Sequence, residues 1–164
     1  MKNVNWREVV EIVGVVSIVG SLLLLATEVR QSNHIANAAI EMSMTQEYNA
    51  INFERATNAD FARLYAKMGD PASHLITATE QEQMRGLAWH YSNIYWLAQT
   101  AHNNGLMSDE QLQGYALDLG LLLKRQSALQ DHFIALTEMI PGMADDEVFA
   151  AVKTIIDERK AKNQ

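Results

Sequence analysis

Cysteine is absent from this chain, which removes disulfides, thiolate metal sites and cysteine nucleophiles together. Either side of a bacterial membrane tolerates a cysteine-free domain, so the absence leaves the compartment open. Only two prolines and eight glycines are present, too few for a turn-rich or low-complexity chain. Glycine-rich phosphate loops are missing, as are the G-x-S-x-G and S-x-x-K nucleophile patterns. Basic clusters are missing too. The net charge is −7, and residues 1–30 balance Lys2, Arg7 and Arg30 against Glu8, Glu11 and Glu28. The whole acidic excess therefore falls on the remainder, which would repel a polyanion, so nucleic acid is not an expected partner.

Histidine offers little more. His34, His74, His90, His102 and His132 show none of the H-x-x-x-H, H-E-x-x-H or E-x-x-H spacings that put two ligands on one helix face. Asp131 and His132 are adjacent and so point to different faces. Glu80, Glu82, Asp118 and Glu138 are candidates for pairing in space, but no spacing requires it. The expectation is a protein with no catalytic residues, no metal site and no cofactor.

What is present is helix-forming. Ala, Leu, Gln, Glu and Met dominate, all strong helix formers. The apolar share of 48% with 20% charge suits a folded domain with a real core. The expected fold is all-α: an N-terminal transmembrane helix that continues into a long helix packed with a small helical bundle.

Ile12 to Thr27 is a run of sixteen uncharged residues. At about 1.5 Å per residue this falls short of a hydrocarbon core of roughly 30 Å. Extension to Val9 and Val29 reaches that length and leaves Glu11 and Glu28 near the two interfaces. Trp6 and Arg7 sit where interfacial anchors belong. A cleaved signal peptide is disfavoured by Glu8 and Glu11 and by the lack of a nearby small-x-small site. A buried soluble helix would show a polar face, which this run lacks. The expected organisation is a membrane anchor over 1–33, spanning about 9–29, and a helical soluble domain over 34–164. Lys2 and Arg7 at one end against Arg30 at the other favour a cytoplasmic N-terminus and a periplasmic C-terminal domain, by a single charge.

Between Asn5 and Thr57 there is no proline and, after Gly20, no glycine, so one helix is expected throughout. At 100° per residue Gly14, Ser17, Ser21, Leu24, Glu28, Gln31, Ile35, Ala38 and Met42 form one stripe. Its membrane part is small, and small residues let helices approach closely. Gly14, Ser17, Ser21, Glu28 and Gln31 are thus the candidate interface of a homo-oligomer. A carboxylate ring at Glu28 would be the selective element of a channel. Ile40, Met44, Tyr48 and Ile51 form a second stripe, expected to pack on later helices.

Local signals divide the rest. Asn58 is placed to cap a helix over 59–68, ended by Gly69-Asp70-Pro71. Thr77-x-x-Glu80 opens the next helix as a capping box, and Gly105 closes it. Ser108-x-x-Gln111 opens another, with a break near Gln126, a restart at Ser127-x-x-Gln130 and an end at Pro141. Asp145 and Asp146 introduce a last helix to about Lys160, with Arg159, Lys160 and Lys162 suiting its C-terminus. Met84, Leu87, Tyr91, Ile94, Ala98 and Ala101 mark a core face. Trp89 and Trp96 flank Asn93 on a neighbouring stripe, a candidate ligand or partner surface, although aromatics at helical spacing are more often core.

The run Gly20-Ser21-Leu22-Leu23-Leu24-Leu25-Ala26-Thr27-Glu28-Val29-Arg30-Gln31-Ser32-Asn33 resembles the membrane exit of a family of small bacterial single-pass proteins. Their shared features are an N-terminal Trp, a Val/Ile/Gly-rich span, a Glu-(Val/Ile)-Arg-Gln exit and a helical domain. Leu75 to Glu80 and Gly105 to Glu110 are similar as well. The resemblance implies a bacterial inner-membrane location and this architecture; no activity is assigned to that family, so it carries over no site. The leading expectation is a membrane-anchored interaction protein, self-associating or an accessory subunit of a larger membrane complex. A ligand-sensing bundle needing a signalling partner is the alternative, and a small homo-oligomeric channel the third.

Overall fold

The computed structural model describes residues 6–70 and 75–162. Lys2, Pro71, His74 and the Arg159 side chain, each given a place by the sequence, lie outside that description. All regular structure within it is helical.

Helix α1 runs unbroken over Trp6–Thr57, 52 residues. Asn58 ends it with an extended backbone and starts the next helix, accepting at its side-chain oxygen from the amides of Asp60 (3.0 Å) and Phe61 (3.1 Å). That satisfies two of the donors a helix start leaves unpaired. Helix α2 covers Ala59–Gly69 and buries Leu64 and Met68. A Cβ on Gly69 would come within 3.0 Å of the Arg125 carbonyl, so glycine permits a close backbone approach there.

Helix α3, Ala78–Asn103, opens with the expected capping box of Thr77 and Glu80. It closes on Gly105 at φ +70°, with Leu106 N–H donating to Ala101 and Gly105 N–H to His102. This is the Schellman pattern of paired carbonyl capture. Helix α4, Asp109–Arg125, opens with the second box, Ser108 and Gln111.

Two expectations need correction. Ser127 caps nothing: a 3₁₀ turn over Ser127–Leu129 leads directly into α5, Gln130–Met139. Leu129 already has helical dihedrals, so the non-helical residue that a side-chain cap requires is missing. The last helix, α6, spans Ala150–Lys162 and starts later than Asp145 and Asp146 imply. Two 3₁₀ turns, Met143–Asp145 and Glu147–Phe149, precede it. Their tight winding turns Met143, Val148 and Phe149 into the core. A buried side chain, that of Gln99, accepts the Val148 N–H at 3.0 Å.

Contacts divide the chain at Ala38 and Ala39 into two compact units. In the first, no side chain from Trp6 to Ile35 is buried. In the second, α3 packs on α4 and α5, and α4 packs on α6. All six residues of the expected α3 core face are buried. Tyr95, Phe133 and Phe149 are the largest fully buried side chains. The C-terminal part of α1 joins this core through Met44 and Ile51, with Ile40 and Tyr48 partly buried against it. Its second apolar stripe therefore packs on the later helices.

Candidate functional site

The first candidate is the apolar part of α1. The helix is long and apolar enough to cross a membrane, and none of its most apolar 18 residues is buried by the rest of the chain. Leu22 to Leu25 are 55–67% exposed. Gly14, Ser17, Ser21, Glu28 and Gln31 are all exposed on this helix. Both hydroxyls bond within it, Ser17 to the Val13 carbonyl (2.8 Å) and Ser21 to the Ser17 carbonyl (2.9 Å). This back-bonding satisfies the serine donors without a second helix. Gly14 and Gly20 meet no other atoms that a Cβ would touch, so the face is narrow and open to close approach.

A polar seam ties the C-terminal part of α1 to α3 and α4. Gln111 donates to Glu41 at 2.8 Å. Tyr95 donates to Asp118 Oδ2 at 2.8 Å, and the Tyr48 hydroxyl lies 2.7 Å from Tyr95 Oη and 2.8 Å from the same carboxylate oxygen. Burial, reinforced by the negative Asp118, pushes both phenols well above the ordinary tyrosine range. They stay neutral donors at physiological pH. The triad ties three helices together. Tyr48 also packs edge-on to Tyr95 at 6.5 Å between ring centres, a favourable aromatic geometry.

Beside this seam lie two grooves that share His90. The larger, about 350 Å³, is lined by Ala50, Ile51, Glu54, Phe61, Gln83, Gly86 and Leu87 together with His90. The smaller, about 220 Å³, adds Ser43, Met44, Glu47, Asn93, Ile94 and Leu97. Glu47 Oε2 stands 3.3 Å from His90 Nε2, an ion-pair distance without hydrogen-bond alignment, and that ring nitrogen has no hydrogen-bonding partner. Asn93, expected between the two tryptophans, does border the smaller groove. Trp89 and Trp96 border neither. They are half-exposed, at 37% and 38%.

Three of the four carboxylates considered for pairing are held by other partners. Glu80 bonds Lys67, Glu82 pairs with Arg85, and Asp118 holds the tyrosines. Among the described residues no three His, Asp or Glu come together as a metal site. No family model, curated protein or solved structure matches the chain. The site must be read from its own geometry.

Sequence reasoning passed over Glu47, Glu54 and Gly86 and considered His90 only as a metal ligand; these residues line the two grooves only when α1 and α3 pack. One local signal was available. Gly86 sits inside a 26-residue helix, where glycine costs about 1 kcal/mol relative to alanine. A Cβ there would meet nothing within 4 Å, so packing does not require the glycine.

Proposed function

We propose that this protein is a membrane-anchored helical interaction module, not an enzyme, which self-associates through the Gly14, Ser17, Ser21, Glu28 and Gln31 face of α1. The carrying observation is an 18-residue apolar stretch that the chain's own fold leaves wholly uncovered. Burial of such a surface is worth about 25 cal/mol per Å², so it demands lipid or protein around it. Lipid satisfies the Val, Ile and Leu faces. The small face offers lipid little to pack on and lets a second helix approach closely. Its position on the bacterial inner membrane rests on the resemblance given above, and the excess of Lys2 and Arg7 over Arg30, a single charge, favours a cytoplasmic N-terminus and a periplasmic bundle. The same face would equally seat one helix of a larger membrane complex.

The absence of native cysteine makes the test clean. Ser17→Cys and Ser21→Cys in native membranes should give disulfide dimers on mild oxidation. Val15→Cys and Val19→Cys, on the opposite face, should not. Monomer at all four positions, or equal cross-linking around the helix, would overturn self-association through this face.

A further inference from the structure

We propose that the larger α1–α3 groove is a binding site for a small amphipathic organic cation, an ammonium group on a compact apolar body. At about 350 Å³ the groove falls at the small end of the usual range for ligand pockets. Its walls supply an apolar bed, with Ile51 and Leu87 at the floor and Phe61 at one side. Gly86 is what keeps it open. That residue weakens its own helix, no neighbour needs the missing side chain, and any larger residue would project into the groove.

The charge selects the ligand class. Glu54 lines this groove, and Glu47 lines its continuation past His90. Neither groove is lined by lysine or arginine; His90 borders both and stands 3.3 Å from Glu47, which leaves Glu54 as the carboxylate facing the larger groove. The nearby cations are engaged elsewhere: Arg55 lies 4.9 Å over the Tyr65 ring, and Arg85 pairs with Glu82 at 3.2 Å. Glu54 accepts a neutral amide hydrogen from Asn58, at 3.3 Å, and among the described residues no cation pairs with it. By contrast, the groove between α4 and α6 carries Lys124 and Glu158 together and is balanced. An ammonium would face Glu54 while its apolar body lies on Ile51, Leu87 and the gap at Gly86. An anion of the same shape would meet uncompensated carboxylate.

The probe is 2-phenylethylammonium, compared with 3-phenylpropionate, on the full chain in lipid nanodiscs with methyl-labelled Ile and Leu. The ammonium should shift the Ile51 and Leu87 methyl resonances saturably, with at least tenfold lower Kd than the carboxylate. Glu54→Gln, at an exposed position, should weaken it about tenfold, and Gly86→Leu should abolish it. Gly86→Ala should raise the melting temperature and weaken binding less than leucine does. Equal shifts by both probes, no saturable shift by the ammonium, or unchanged binding in Glu54→Gln would each overturn the proposal. None of these outcomes touches self-association, which is read at Ser17 and Ser21.

Discussion

Residues 6–35 and the bundle from Ala39 onward handle apolar surface in opposite ways. The bundle hides it: Phe133, Phe149 and Leu129 are fully buried, and Gln130 and Gln99 bond the Leu123 carbonyl and the Val148 amide among them. The first part of α1 hides none of its Val, Ile and Leu side chains. One region carries its own solvent-excluded interior, and the other relies on its surroundings for one. Substitutions should therefore separate them, with effects confined to the region that receives them.

The largest effect belongs in the bundle. Phe133→Ala leaves a cavity where a fully buried ring stood, and such truncations cost about 3–5 kcal/mol. Thermal or denaturant melts of the full chain in nanodiscs should show that loss, while extraction from membranes stays unchanged. Val19→Lys is the reciprocal test. A lysine near the centre of a spanning helix costs roughly 3 kcal/mol for insertion, whereas an exposed lysine on an ordinary water-facing helix costs almost nothing. Alkaline extraction should release the variant, and the bundle should melt as before. If Val19→Lys is retained like the parent chain, the two regions do not differ in the way their exposure implies.

Much of this division is legible in the sequence, because its causes are local. A run of sixteen uncharged residues needs no partner to be noticed. The caps at Asn58, Thr77 and Ser108 are short-range bonds between residues three apart or fewer, so pattern alone finds them. The 3₁₀ entry to α6 is not local. It depends on Gln99, 49 residues away, accepting the Val148 N–H. The grooves are likewise hidden, since Glu54 and Gly86 become neighbours only through packing. Trp89 and Asn93 show the opposite error: helical spacing placed them together, but only Asn93 borders a groove.

A smaller effect sharpens the account of the bundle. The side chain of Gln99, 5% exposed, accepts the Val148 amide hydrogen. Gln99→Leu keeps the volume but leaves a buried donor unpaired, at a cost of about 1–3 kcal/mol. Hydrogen exchange should then accelerate over residues 146–150 before it does in α3. Uniform acceleration would mean that the turn and helix open together.

The smallest expected effect is a pH dependence, and its sign follows from two groups in the bundle. The Lys67 ammonium, with the Thr77 amide, holds Glu80 down at about 2 from 4.5. Its stabilisation is complete above pH 4.5 and is lost as pH falls toward 2. This carboxylate is solvent-accessible, so the effect is screened and modest. Burial, with the Arg85 guanidinium beside it, lowers His132 below 6.5. The unfolded chain gains that proton first, so stability is full above pH 6.5 and declines as pH falls through the lowered value. Both groups act in one direction, in successive windows. Melting temperature should step down below pH 6.5 and again below 4.5. His132→Gln should remove the first step and Glu80→Gln the second. Asp146, raised above 3.8 by burial, acts in the opposite direction in the lower window, so the variants decide: a step that survives its own substitution would contradict the placement of that side chain.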